Sequence, residues 1–171
     1  MCLHYRQTLN RDLTKNLIFN KFNHWFFRKG DTMTIKQTAE NLYKKVNTFI
    51  LTCVGADGYP LTKAVVPGRY RETINEMYFC TNSSSKFAAE IKKNSKANVY
   101  FYTRITIYKG CMLKGEMEIV SDLAIKEKYW LNKYKNAYPQ KSYTDPDFCL
   151  LKFIPKVGRF YSGFKLSDFE I

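Results

Sequence analysis

Residues 79–91 read FCTNSSSKFAAEI, and how this stretch folds decides how its surroundings are read. Residues 76–81 have the apolar and aromatic character of a strand. Asn82-Ser83-Ser84-Ser85 then supplies the side-chain oxygens that start helices, here one carrying Lys86, Phe87, Ala88, Ile91 and Lys92. Four hydroxyls, an amide, several backbone N–H groups and one ammonium in a small volume also suit a phosphate, because a helix N-terminus has unpaired donors and partial positive charge. On this stretch alone, plain capping and anion binding are both open.

Working outward, strands are expected at 48–54 (TFILTCV) and 61–66, joined by the turn Gly55-Ala56-Asp57-Gly58. Lys63 lies on the second of them and supplies another cation if that strand runs beside the junction. Upstream, Ile35, Ala39, Leu42 and Val46 have helical spacing, and Thr34 with Gln37 forms a capping box. Downstream, 98–103 reads as a strand, and 105–120 as one long strand or two, kinked at Gly110 or Gly115. Ser121-Asp122 caps a helix carrying Leu123, Ala124, Lys128, Trp130, Leu131 and Tyr134. Two further strands are expected at 148–154 and 158–161, and Asp145-Pro146-Asp147 is a turn signal. Hairpin-linked strands with few, short helices give a mainly β (α+β) fold, an antiparallel split β-barrel with peripheral helices.

The whole chain sets bounds. Its 171 residues, 45% apolar and 16% aromatic, allow one substantial core. The domain is expected over 33–171. Residues 1–32 lack a sustained period and are expected to be a disordered extension or a translated leader upstream of Met33. Both histidines, His4 and His24, fall in that stretch, so the domain has no histidine for acid–base chemistry, and its scattered cysteines have no CxxC spacing. No metal site is expected. No apolar run approaches the roughly 20 residues that cross a bilayer, so no membrane partner and a cytoplasmic location are expected. The net charge of +13 is spread along the chain, +4 over 1–32 and +9 over 33–171, which argues against nucleic acid as the partner.

The order of these pieces resembles a known family. A helix, a strand, the turn GADGYP (55–60), a strand with Lys63 three residues past its proline, a strand ending in TNSSSK (81–86), KGCMLKGEMEIVSD (109–122), KEKYW (126–130) and YPQKSYTDPDFCLLKFIPKVGRFY (138–161) together look like the pyridoxamine phosphate oxidase-like FMN-binding split barrels. The general stress protein branch is the most similar, and the resemblance covers about residues 35–162. It implies FMN as cofactor, its phosphate at Thr81, Asn82, Ser84, Ser85 and Lys86, further contacts along Thr62, Lys63, Ala64 and Val65, and a homodimer with flavin at the interface. Val99, Phe101, Tyr108 and Met112 are candidates for interface or ring contacts, and Arg159, Phe160 and Tyr161 lie near the implied cofactor.

There are departures. Lys63 stands where the family often has Arg, which keeps the charge and loses the bidentate fork. Gly110 stands near the position where true oxidases contact the flavin with Gln. The tail lacks the Arg-x-His element that binds pyridoxal phosphate, so vitamin B6 oxidation is not expected. The implied function is an FMN-dependent oxidoreductase or flavin-reductase-like protein, with NAD(P)H or a small molecule as electron partner. Alternatives are a non-catalytic flavin-binding stress protein and a basic nucleic-acid-binding barrel.

Overall fold

The structure, a computed structural model, describes residues 33–105 and 107–171. The extension expected at 1–32, with both histidines and Cys2, lies outside the described residues. The described residues open with helix α1 (Ile35–Lys45), whose start is closed by the expected capping box: Thr34 Oγ1 accepts the Gln37 N–H at 3.2 Å, and Gln37 Oε1 accepts the Thr34 N–H at 2.8 Å. Strand β1 (Phe49–Val54) pairs antiparallel with β2 (Pro60–Val65), and after a loop β3 (Met77–Asn82) leads into helix α2 (Lys86–Lys93). Strands β4 (Lys96–Arg104) and β5 (Tyr108–Ile119), helix α3 (Leu123–Tyr129), a short 3-10 turn (Asn132–Asn136), β6 (Phe148–Ser162) and β7 (Lys165–Glu170) complete the order. Every strand pair is antiparallel, in the order β2-β1-β4-β5-β6-β3, with β7 on β6.

The period of 2 sends alternate side chains to one interior. Phe49, Leu51 and Cys53 of β1 meet Val99 and Phe101 of β4, Cys111 and Leu113 of β5, and Phe79 of β3, with Leu42 and Tyr43 of α1 and Phe87 and Ile91 of α2 completing the core. Phe49 lies 5.2 Å from Phe101 and 5.6 Å from Phe79 between ring centroids. Strands β1 and β3 are far apart in sheet order, so this contact requires the sheet to curl into a barrel. Closure is incomplete. Between β2 and β3 the backbone makes one isolated bridge, Pro67 to Phe79, with the Gly68 N–H donating to the Tyr78 carbonyl at 2.9 Å. This seam is the split of a split β-barrel.

Several details differ from expectation. Val99 and Phe101 are fully buried core residues and cannot be surface contacts; their antiparallel partners Leu113 and Cys111 face inward with them, whereas Met112 shares the outer face with Tyr100. The helix expected to run through Tyr134 ends at Tyr129, because Trp130 is extended (φ −68°, ψ 136°). Trp130 instead packs edge-on against Phe148 at 4.9 Å. The strands expected at 148–154 and 158–161 are one continuous strand, and a seventh follows after the Gly163 turn. The long 105–120 segment is a single strand starting at Tyr108, with a register shift at Lys114/Gly115 where a Cβ on Gly115 would lie 2.1 Å from the Ile154 carbonyl oxygen.

Candidate functional site

The alternation of β2 splits its four expected ligand residues between two faces. Lys63 and Val65 turn toward the barrel, while Thr62 and Ala64 are exposed on the outer face. Thr62 Oγ1 shares a 2.9 Å hydrogen bond with Thr52 Oγ1 there. The inward turn carries the Lys63 ammonium across the seam, where it donates to Thr81 Oγ1 on β3 and lies 5.3 Å from the centre of the Phe87 ring. Thr81 is buried, and its hydroxyl is 3.4 Å from Ser85 Oγ at the start of α2. Lys63, Thr81 and Ser85 therefore converge on the point where backbone pairing stops.

Ser85 is the N-cap of α2, since its Oγ accepts the Ala88 N–H at 3.2 Å and donates to the Asn82 carbonyl at 2.7 Å. A single hydroxyl cannot serve the whole first turn. The N–H groups of Lys86 and Phe87 find no acceptor among the described residues. Lys86 itself is exposed at the rim.

Electrostatics sharpen the picture. Burial holds the Lys63 ammonium below the ordinary lysine range. Cys53 and Cys149 lie close enough to Lys63 to feel its charge, and burial pushes both thiols up, so both remain neutral near pH 7. A half-buried cation whose hydrogen-bond partner is a neutral hydroxyl, beside open N–H groups, is a site that gains by receiving an anion.

Asn82 and Ser84 are both tied to Asp147. Asn82 Nδ2 donates to Asp147 Oδ2 at 2.6 Å, the Ser84 N–H donates to Asp147 Oδ1 at 2.8 Å, and the Ser83 N–H donates to the Asp147 carbonyl at 2.8 Å. These donors hold the Asp147 carboxyl below its usual range. Sequence reasoning missed Asp147, which sits in the turn signal Asp145-Pro146-Asp147. It also missed Tyr138, whose hydroxyl donates to the Thr81 carbonyl at 3.1 Å.

Gly110 is not brought to this cluster. It lies on β5 between Tyr102 and Tyr161 of the neighbouring strands, and a Cβ there would fall 2.6 Å from the Tyr100 hydroxyl oxygen. The Tyr100 and Tyr108 hydroxyls are hydrogen-bonded beside it, so a larger side chain has to displace Tyr100. Arg159 is held by Asp168 at 2.6 and 2.9 Å, Phe160 is in the core, and Tyr161 packs edge-on against Tyr100. Among the described residues no group of His, Cys, Asp or Glu could hold a metal, and no helix is long and apolar enough to cross a membrane.

Among curated proteins none matches this sequence. Solved structures do. The chain is similar to a protein from Clostridium acetobutylicum related to general stress protein 26, with 29% identity over 78% of this chain and 92% of that one and a TM-score of 0.68. General stress protein 26 from Bacillus anthracis shares 22% identity over 81% of this chain and all of its own, with a TM-score of 0.65. A pyridoxamine 5'-phosphate oxidase-related, FMN-binding protein from Nostoc punctiforme has the same fold at 16% identity, over 82% of this chain and 99% of that one, with a TM-score of 0.61. Residues 34–165 match the family described as pyridoxamine 5'-phosphate oxidase like. With an antiparallel barrel split at the seam that Lys63 and Thr81 bridge, and with this match over nearly all of the described domain, the chain belongs to the pyridoxamine 5'-phosphate oxidase-like family.

Proposed function

We propose that this protein binds FMN and that the bound isoalloxazine makes it an oxidoreductase of the flavin-reductase type. The observation that carries the reading is the desolvated Lys63 ammonium at the seam, beside the Thr81 and Ser85 hydroxyls and the open first turn of α2. A phosphate monoester, dianionic near pH 7, satisfies all of these groups at once. Lys63, Thr81, Ser85 and the N–H groups of Lys86 and Phe87 hold it, with Lys86 at the rim. The flavin supplies hydride and electron transfer when bound, and the chain contributes anchoring and orientation. The electron donor in this reading is NAD(P)H.

A homodimer completes the reading. The outer face of the sheet carries half-buried Ile50, Tyr100 and Met112 in one transverse row and a cleft of about 620 Å³ between Pro60, Asn98 and Lys114. Asn98 Oδ1 is buried there without a hydrogen-bond partner among the described residues. Exposed Ile105 and Phe164 at neighbouring hairpin tips add apolar surface that a second copy would cover. The protein is proposed to work in the cytoplasm.

The test is the absorption spectrum of the purified protein, with light scattering alongside. Flavin bands that bleach with NAD(P)H, and a mass near twice the 20.2 kDa chain, are expected. Flavin bands without bleaching would favour a non-catalytic flavin-binding stress protein. A colourless protein that takes up no FMN would overturn the reading.

A further inference from the structure

Asp147 approaches the cradle from 62 residues beyond Ser85, and its three acceptor contacts account for the shape of the 82–85 turn. The turn has one other tie of its own, from the Ser85 N–H and hydroxyl back to the Asn82 carbonyl. The Asp147 backbone is itself fixed. Its N–H donates to Asp145 Oδ1 at 2.9 Å, and the buried Asp145 carboxylate also accepts the Gln140 N–H at 2.8 Å. Tyr138 of the same segment braces the Thr81 carbonyl. A carboxylate near an anion site keeps its charge when neutral groups donate to it, so its hold on the turn has to outweigh its repulsion of the anion. Here two donors satisfy the Asp147 carboxylate, and both come from residues preceding the helix, so the Lys86 and Phe87 N–H groups stay open.

We propose that Asp147 is a positioning residue for the phosphate cradle. By claiming the Asn82 amide and the Ser84 N–H, it holds the turn in the conformation that keeps Ser85 Oγ beside Thr81 and Lys63. It touches no part of the ligand. The proposal rests on the FMN reading above, in which the phosphate sits at Ser85, Thr81 and Lys63.

The test titrates the full chain with FMN and with riboflavin, which lacks the phosphate, followed by flavin fluorescence. For the unaltered protein FMN should bind about tenfold or more tighter than riboflavin. Asp147→Ala should weaken FMN about tenfold and change riboflavin by less than about twofold. The paired exchange Asn82→Asp with Asp147→Asn reverses donor and acceptor across the same contact, and should restore FMN binding to within about threefold of the unaltered protein. Amide exchange at Ser84 should quicken at least about tenfold in Asp147→Ala and return toward normal in the exchanged pair. No preference for FMN in the unaltered protein defeats the phosphate reading and this proposal with it. A preference that survives in Asp147→Ala, an equal loss for both flavins, or an exchanged pair that fails to recover overturns this proposal alone.

Discussion

Helices α2 and α3 both begin after a strand, and they treat their first turns in opposite ways. At α3 the cap is a carboxylate: Asp122 Oδ1 accepts the Ala124 N–H at 2.8 Å and the Ile125 N–H at 3.2 Å. At α2 the cap is the neutral Ser85 hydroxyl, which takes the Ala88 N–H, and the nearby charges are the Lys63 and Lys86 ammonium groups. The partial charge of a helix start is the same in both places. At α3 it is answered from within the chain. At α2 it adds to two cations, Lys63 and Lys86, that make no ion pair among the described residues; the nearby carboxylates are engaged elsewhere, Asp147 and Asp145 in and behind the turn before the helix and Glu90 with Lys93. In the proposed reading, a hydroxyl-rich helix start becomes an anion site when the internal anion is withheld and a desolvated cation is supplied.

The most drastic way to break this contrast is to make α2 begin as α3 does. Ser85→Asp should keep a competent cap, so the thermal midpoint stays within a few degrees, while FMN affinity falls more than about a hundredfold because a fixed negative charge stands where the phosphate would. Retained FMN binding in a calorimetric titration would show that the phosphate lies elsewhere. Lys63→Met comes next. Losing a charge-assisted contact should weaken FMN by about 1.5–3 kcal/mol, while the urea midpoint of the flavin-free protein should not fall, because a desolvated charge has been removed.

Titration of the same lysine gives a signed pH test. Its folded-state value lies below the ordinary amine value, so between the two the unfolded chain binds more protons, and flavin-free stability rises with pH in that window. A bound phosphate draws the proton back onto Lys63. FMN affinity should therefore fall as pH climbs through the lowered value, and an affinity flat up to the ordinary lysine range would remove Lys63 from the contact.

A matched pair of cap deletions separates folding from binding. Ser85→Ala and Asp122→Ala should each cost about 1 kcal/mol of stability, and only the first should weaken FMN. Equal effects of both on FMN would mean that helix stability, and not the cradle, governs affinity. The smallest change is expected for Lys86→Gln, since this lysine is exposed and its contribution is screened by salt: about 1 kcal/mol or less, shrinking as ionic strength rises.

Much of the local structure of the proposed cradle was legible in the sequence because it is contiguous. The strand, the polar turn and the amphipathic start of α2 follow one another within 79–91, and periodicity finds each of them. Lys63 was legible as a strand residue, but its weight was not, because only the direction it takes across the seam shows that it is more deeply desolvated than Lys86. Asp147 was invisible to local patterns. A turn signal says nothing about a partner 65 residues away in Asn82. Strand β7 was missed for a different reason: Lys165–Glu170 is an edge strand exposed along most of its length, so its apolar alternation is faint. Val99 and Phe101 were placed on the wrong face because apolar strand residues look alike from either side until the register with β5 is known.

The seam has a mechanical meaning as well. Strand β2 is laced along its length to β1 on one side, while toward β3 its fastenings are the backbone bridge beyond its end at Pro67 and the side-chain link from Lys63 to Thr81. Among the described residues it is an edge strand tacked shut at two points. A ligand gripped by Lys63 on one lip and by Ser85 on the other would be a third stitch. Occupancy would then register far from any chemistry, as slower opening of β2 under load or denaturant, and the barrel would carry its cofactor as part of its own closure.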